Sequence, residues 1–187
     1  MREHDNQYNS SLIIKQCFKE YGYKQPEILI LKEVLNGPAF TVSYAIEKAN
    51  IKGSISIKDC DSLCMADNYP IGENSVSYID ASKNDIDRLS SKSSLEIDEH
   101  NKIISIKEKV IFSSYICVGI YFFKDITIFQ KEFNKLKELK SKKEIFISHI
   151  IESLLDASIP FFSHEVNELI DLGTIKDYYK YLSKFQT

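Results

Sequence analysis

The feature that most constrains the fold is an almost unbroken apolar run in the second half of the chain, SYICVGIYFFK at residues 114–124. Apolar and aromatic residues occupy both the odd and the even positions, so a strand formed here would carry apolar side chains on both faces. At an exposed edge of a sheet, much of this apolar surface would meet water. The run therefore predicts a central strand.

The other elements follow from the periodicity of apolar residues. They are, in chain order, a helix in SSLIIKQCFKEYG (10–22), a buried strand in EILILKE (27–33), a helix in GPAFTVSYAIEKAN (37–50), strands in GSISIK (53–58) and NSVSYIDAS (74–82), a hairpin over 94–109, helices from about Thr127 and in EIFISHIIESLLDAS (144–158), a strand in PFFSHEV (160–166) and a helix in TIKDYYKYLSKF (174–185). Alternating helices and strands are typical of α/β proteins, and the length predicts one domain over residues 1–187.

Composition argues against two classes of partner. The 24 basic and 27 acidic residues nearly cancel, giving a net charge of −3, and only two of the basic residues are Arg. A nucleic-acid binder would normally show a basic face with Arg, so we expect no nucleic-acid partner. No apolar stretch approaches the roughly 20 residues of a membrane-spanning helix, and the first residues do not resemble a signal peptide. We therefore expect no membrane partner, a cytoplasmic location and reduced cysteines.

The stretch SIKDCDSLC at residues 56–64 places two carboxylates and two thiols directly after a predicted strand. Ligands of open α/β sheets collect at the carboxyl ends of strands, where Asp59 and Asp61 would stand and where carboxylates suit Mg²⁺. A polar strand end or a helix cap remains the alternative. Cys60 and Cys64 do not form a C-x-x-C pair and have no second pair of ligands at zinc spacing, so zinc and redox sites are disfavoured.

A second acidic signal lies near the carboxyl end, in LIDLGTIKDYYKY at residues 169–181. Gly173 suits a tight turn, and Thr174 followed by Asp177 predicts a capped helix start. Asp171 is not needed for this cap. It is therefore a candidate ligand for a metal or a substrate.

Five segments, in this order, resemble the nucleotidyltransferase family that makes nucleotide sugars and related activated compounds. They are NGPAFTV, IKDCDS, IISIKEK, CVGIYFF and DLGTIKDYYKY. The resemblance extends from about Arg2 to the final helix. It implies a Rossmann-like nucleotide-diphospho-sugar transferase fold, an α/β structure whose mixed, mostly parallel central sheet is flanked by helices.

The resemblance also implies an activity. A nucleotidyl group would pass from a nucleoside triphosphate to a sugar phosphate or a phosphocholine-like substrate, with release of pyrophosphate, in the synthesis of polysaccharide or other glycan precursors such as those of a capsule. By motif, Asp61 and Asp171 would hold Mg²⁺ and, together with Lys109, form the catalytic group. Asp59 is expected to be a lesser neighbour that faces the opposite side of its strand.

Further contacts are implied by the same motifs. Nucleotide binding is assigned to Gly37, Ala39 and Thr41, and binding of the second substrate to Glu108, Lys109, Gly119 and Glu144. Each has a simpler alternative: a plain helix start for the first group, an exposed strand end for the Glu–Lys pair, and close strand contact for the Gly in the central strand.

The chain departs from the family at its beginning, where members carry a glycine-rich loop that grips the triphosphate. The six glycines of this chain are all at least fifteen positions apart, and REHDNQYN (2–9) matches the end of the family's third strand. An N-terminally truncated fold is therefore expected, whether the chain is a fragment, a divergent gene product or a relative that only binds. An unpaired sheet edge would favour a homodimer. Enzymatic activity is the main expectation, and binding of a nucleotide sugar or a partner protein without catalysis is the alternative.

Overall fold

The computed structural model of the protein describes residues 1, 7–69, 72–84, 86, 89–139 and 143–184. The helices in these ranges are α1 (Ser10–Glu20), α2 (Pro38–Lys48), α3 (Ile126–Leu139), α4 (Ile147–Asp156) and α5 (Ile175–Ser183). The strands are β1 (Ile55–Lys58), β2 (Ser62–Met65), β3 (Ser75–Asp80), β4 (Ser94–Ile97), β5 (Ile103–Lys107), β6 (Tyr115–Phe123), β7 (Phe162–Glu165) and β8 (Glu168–Asp171). None of the described helices is long and apolar enough to cross a membrane.

The main sheet is organised around β6, as the apolar run predicts. Its strand order is β5-β4-β6-β3-β7, and β1 also pairs with β6. Along one side of β6, β1 pairs with residues 120–123 and β4 with residues 115–116, while β3 runs along the other side. Seven of the nine residues of β6 are buried. The prediction of a central strand is confirmed.

The sheet is mixed and flanked by helices, which confirms the predicted fold class, but the expectation of mostly parallel pairing is wrong. Among the described strands of this sheet, only β3 and β7 pair in parallel, and the other pairs are antiparallel. A parallel pair needs a long crossover connection. The strands from β3 to β6 follow one another without a described α-helix between them, and the two helices α3 and α4 both fall in the single connection from β6 to β7.

The core lies on both faces of β6. On one face α3 buries a stripe with helical spacing, which includes Ile126, Phe129 and Phe133. The ring of Phe123 packs edge-on against those of Phe129 and Phe161, with centroid distances of 5.2 and 5.5 Å. On the other face a smaller cluster around Ile116, Val118 and Ile120 is covered partly by Cys64 of β2 and Leu169 of β8. The short β2–β8 ribbon is therefore anchored to the main sheet.

The structure differs from the predicted strands in two places. Residues 27–33 do not form a buried strand. They make a short bridge to Met1, whose carbonyl accepts the N–H of Leu31 at 2.7 Å and whose amino group donates to the carbonyl of Leu29 at 3.0 Å. A segment becomes a strand only when its backbone is hydrogen-bonded to a neighbouring strand along its length. Within the described residues, this segment has no such neighbour. Conversely, β2 and β8 form a two-stranded antiparallel sheet that the sequence did not predict as a pair.

The other predicted helices and strands are confirmed within a few residues of their ends. In the segment REHDNQYN (2–9), residues 2–6 lie outside the described residues, and residues 7–9 form a turn before α1. Phe185, at the end of the predicted final helix, also lies outside the described residues.

Candidate functional site

An open cleft of about 400 Å³ lies where β1 ends, beside the end of β5 and the β2–β8 ribbon. Five predicted site residues line this cleft: Asp61, Glu108, Lys109, Gly119 and Asp171. The cleft brings together predicted residues that are up to 110 positions apart in the chain.

The β2–β8 ribbon places the two candidate metal ligands. Ser62 is the ladder partner of Asp171, and the N–H of Leu172 donates to the carbonyl of Asp61 at 2.8 Å. Asp61 therefore lies at the start of one strand next to Asp171 at the end of the other. The ladder therefore brings the backbones of two aspartates that are 110 positions apart in the sequence next to each other.

The Asp171 carboxylate is held from two sides. Its Oδ1 accepts the N–H of Gly173 at 2.9 Å, and its Oδ2 lies 2.7 Å from Nζ of Lys92. The side chains of Lys92 and Asp171 are only 17% and 13% exposed, so this ion pair is largely removed from water. Lys92 stands in a Ser-rich segment without a recognisable motif, and sequence reasoning missed it for that reason.

Asp59 lines the same cleft, so the expectation that it faces the opposite side of its strand is wrong. Its N–H donates to the carbonyl of Gly119 at 2.8 Å. Solvent reaches the residue from the open cleft, but surrounding protein atoms restrict its hydration. This desolvation, followed by repulsion from Asp61, raises the pKa of Asp59, although Lys58 and Lys92 act in the opposite direction.

Gly119 is required by the protein's own packing. Its φ of +75° is in the left-handed region, and the register of β6 against β3 shifts at this place, as in a β-bulge. A Cβ atom here would lie 2.3 Å from Oδ2 of Asp59. The simpler alternative, a glycine that permits close contact within the sheet, therefore explains this residue without a substrate.

Glu108 and Lys109 lie at the end of β5. The Glu108 carboxylate accepts hydrogen bonds from the hydroxyls of Ser93 and Ser148, both at 2.5 Å, and both serines are buried. Lys109 has a φ of +55°, and its Nζ lies 4.2 Å from the centroid of the Phe146 ring. The acid is thus fixed in place, whereas the lysine rests on an aromatic ring at the cleft wall.

The remaining predicted residues are not among the described residues that line the cleft. Gly37 has a φ of +111°, and a Cβ there would lie 2.7 Å from Cγ of Glu144 and from the carbonyl oxygen of Ile145. Ala39 is fully buried and its N–H donates to the same carbonyl at 3.1 Å, so its environment is one of packing. Thr41 is exposed on α2. The close approach of Gly37 to Glu144 explains the glycine without a nucleotide base.

The chemistry of the cleft suits a hard cation better than a soft one. Among the described residues, no three or more His, Cys, Asp or Glu side chains form a group that could enclose a metal ion. Mg²⁺ does not need such a cage, because it is commonly held by one or two carboxylates together with phosphate oxygens of a substrate. Burial raises the pKa of Cys117, which also lines the cleft, to about 12, so this thiol is not available as a thiolate.

A comparison with protein-family models gives a match in the second half of the chain. The model of the nucleotidyl transferase family matches residues 94–187. Comparison with curated proteins finds no match to this chain.

Solved structures share the fold. A nucleoside-diphosphate-sugar pyrophosphorylase from Vibrio cholerae RC9 is 20% identical with a TM-score of 0.78, over 97% of this chain and 78% of its own. An inositol-1-phosphate CTP transferase from T. maritima is 14% identical with a TM-score of 0.69, over 99% of this chain and 74% of its own. A protein assigned as a glucose-1-phosphate thymidylyltransferase from Bacillus anthracis is 18% identical with a TM-score of 0.70, over 94% of this chain and 71% of its own. The family match covers half of the sequence, and the chain belongs to the nucleotidyl transferase family.

Proposed function

We propose that the protein transfers a nucleotidyl group from a nucleoside triphosphate to a sugar phosphate, or to a similar phosphorylated substrate, with Mg²⁺ bound and pyrophosphate released. The observation that carries this proposal is the cleft itself, in which Asp61, Asp171, Glu108 and Lys109 meet. Family membership supports the reaction type. The product class would be a precursor for polysaccharide or other glycan synthesis.

The charges of the cleft favour a metal-bound nucleotide over a free one. Among its described lining residues are four carboxylates and two ammonium groups, which together have a formal charge of −2: Asp59, Asp61, Glu108 and Asp171 against Lys92 and Lys109. A bare triphosphate would meet repulsion from the excess of carboxylates. We therefore expect the nucleotide to bind together with a divalent cation.

Asp61 and Asp171 are the residues that would hold the cation in this scheme. Bound Mg²⁺ would supply positive charge to the phosphoryl oxygens as negative charge develops on them. The β2–β8 ribbon brings the backbones of these two residues side by side, because Ser62 pairs with Asp171 and the carbonyl of Asp61 accepts the N–H of Leu172.

Glu108 and Lys109 would position the second substrate. An ionised carboxylate only accepts hydrogen bonds, so Glu108 suits a hydroxyl of the substrate, and its two serine donors fix its orientation. Lys109 would leave the Phe146 ring to contact the substrate's phosphate. A phosphate oxygen of that substrate would then form a bond to the α-phosphorus of the nucleotide, and the bond from the α-phosphorus to the bridging oxygen would break, with both electrons leaving on pyrophosphate.

The test is a pyrophosphate-release assay with each of the four common nucleoside triphosphates, a panel of sugar 1-phosphates and phosphocholine, with and without Mg²⁺. We expect release for at least one combination, dependent on Mg²⁺ and lost in Asp61→Asn and Asp171→Asn. Lys107→Met removes a lysine that pairs with Glu152 away from the cleft lining and serves as the control. Silence over the whole panel, with a nucleotide sugar still raising the melting temperature, would instead support binding without catalysis.

A further inference from the structure

Lys92 is a charged residue of the cleft to which the motifs assign no role. Its backbone N–H donates to the carbonyl of Leu89 at 2.9 Å, at the end of a 3-10 helix (Leu89–Ser91), so the main chain is fixed. The side chain reaches into the cleft and brings Nζ to 2.7 Å from Oδ2 of Asp171. A positive charge thus already lies against one of the two proposed metal ligands.

Two other lysines near the cleft are engaged differently. Nζ of Lys58 donates to the backbone carbonyl and hydroxyl oxygens of Ser62, which fastens the turn between β1 and β2. Lys109 lies over an aromatic ring. Of these three ammonium groups, that of Lys92 is the one in contact with a proposed metal ligand.

A lysine and a divalent cation compete for the same electron pairs of a carboxylate. Oδ1 of Asp171 accepts the Gly173 N–H, and Oδ2 lies against the ammonium group of Lys92. A cation that binds Oδ2 must share this oxygen with the ammonium group or displace that group. Two positive groups on one oxygen in a site largely removed from water would repel each other strongly. The long, flexible stem of Lys92 allows its ammonium group to move while its backbone stays in place.

We propose that Lys92 is a positioning residue that neutralises Asp171 in the absence of the divalent cation, and that it moves to a phosphate group of the nucleotide when the cation takes its place on Asp171. This inference rests on the metal site proposed above. The exchange leaves Asp171 next to a positive charge in both states. It also makes cation binding and phosphate binding cooperative, because the released ammonium group becomes available to the phosphate.

Binding of Mn²⁺ without nucleotide, followed by the paramagnetic resonance signal of the free ion, tests the competition. Lys92→Met should bind Mn²⁺ on the order of tenfold more tightly than the wild type, the factor for losing one charge-assisted hydrogen bond. Lys92→Arg keeps the charge and should not show this gain, and Lys107→Met controls for the loss of a lysine elsewhere. In an Asp171→Asn background, Lys92→Met should give no gain. Equal or weaker Mn²⁺ binding by Lys92→Met in the wild-type background would overturn the competition.

Inorganic pyrophosphate with Mg²⁺, measured by calorimetry, tests the second half of the exchange. Lys92→Met should bind this complex more weakly than the wild type, although it binds the bare cation more tightly. A purely structural role would move both affinities in the same direction. An unchanged affinity for magnesium pyrophosphate would overturn the transfer of Lys92 to a phosphate.

A second measurement covers the case in which Lys92→Met fails to fold. Lysines of the wild type can be methylated with a ¹³C label and followed by NMR, and the Lys92 signal is identified by its absence in Lys92→Arg. Addition of Mg²⁺ should shift this signal, and an unchanged signal at a Mg²⁺ concentration that saturates the site would contradict the proposal. These readouts need no turnover, so a failure of the transferase assay alone leaves them decisive, whereas absence of any metal binding by the wild type would remove the metal site itself.

Discussion

Replacement of Gly119 by Ala distinguishes a packing role of this glycine from a role beneath a substrate. The φ of +75° would strain an L-residue by about 1–2 kcal/mol. The new Cβ would also lie 2.3 Å from Oδ2, 2.7 Å from Cγ and 2.9 Å from Cβ of Asp59. Movement of the Asp59 side chain relieves part of this clash, so we expect the lower end of the usual cost of overpacking, about 1 kcal/mol. The free energy of unfolding should therefore fall by about 2–3 kcal/mol.

Gly53→Ala is the matched control for this change. Gly53 has a similar φ of +83°, but a Cβ there meets nothing within 4 Å, so only the backbone strain applies. Urea unfolding followed by circular dichroism should show a larger loss for Gly119→Ala than for Gly53→Ala. Asp59→Ala in the Gly119→Ala background should recover part of the difference, because it removes the two nearest atoms. Equal losses at both glycines would refute the packing explanation.

Three further predictions concern single contacts. Ser148→Ala removes a buried donor to Glu108 and should lower the free energy of unfolding by about 1–3 kcal/mol in the same urea assay. Thr174→Ala removes the side chain that accepts the Asp177 N–H at the start of α5, and should cost about 1 kcal/mol. Asp59→Asn should raise the melting temperature at pH 7.5 and less so at pH 4.5, because a carboxyl whose pKa is raised by folding lowers stability as the pH rises through that pKa.

Each of these has an outcome that would contradict it. If Ser148→Ala unfolded at the same urea concentration as the wild type, the hydrogen bond to Glu108 would contribute nothing to stability. A stability of Thr174→Ser as low as that of Thr174→Ala would remove the cap as the cause. If Asp59→Asn gave the same change in melting temperature at both pH values, the effect would not come from the carboxylate's charge.

Local patterns predicted the elements that are buried over several turns or along a whole strand. The apolar run of β6 identified the central strand, because burial on both faces leaves a continuous apolar pattern in the sequence. A helix was predicted from about Thr127, and α3 begins at Ile126. Residues 27–33 show the limit of such patterns. They are apolar enough for a strand, but a strand also needs a neighbour, and the neighbour is not encoded in the segment.

The candidate site was predictable only where a motif accompanied the residue. Asp61 was a candidate because it follows a strand, and Asp171 because the helix cap does not need it. The family resemblance then linked the two, and both line the cleft. Lys92 and Ser148 lie in segments without a motif, and their contacts with Asp171 and Glu108 arise from pairing of distant parts of the chain. Such contacts follow from the assembled fold, so the local sequence could not indicate them.

The β2–β8 ribbon has a consequence for how the protein gains its activity during folding. Two four-residue strands set the separation of Asp61 and Asp171, and closing the 110-residue loop between them carries an entropic cost. A slip of one residue in this short ladder would turn Asp171 to the other face. A molecule could therefore contain a complete main sheet and still lack an aligned pair of carboxylates. The fraction of protein that is folded and the fraction that is competent for catalysis are then separate quantities. A cation that bridges the two strands would raise the competent fraction more than the folded fraction.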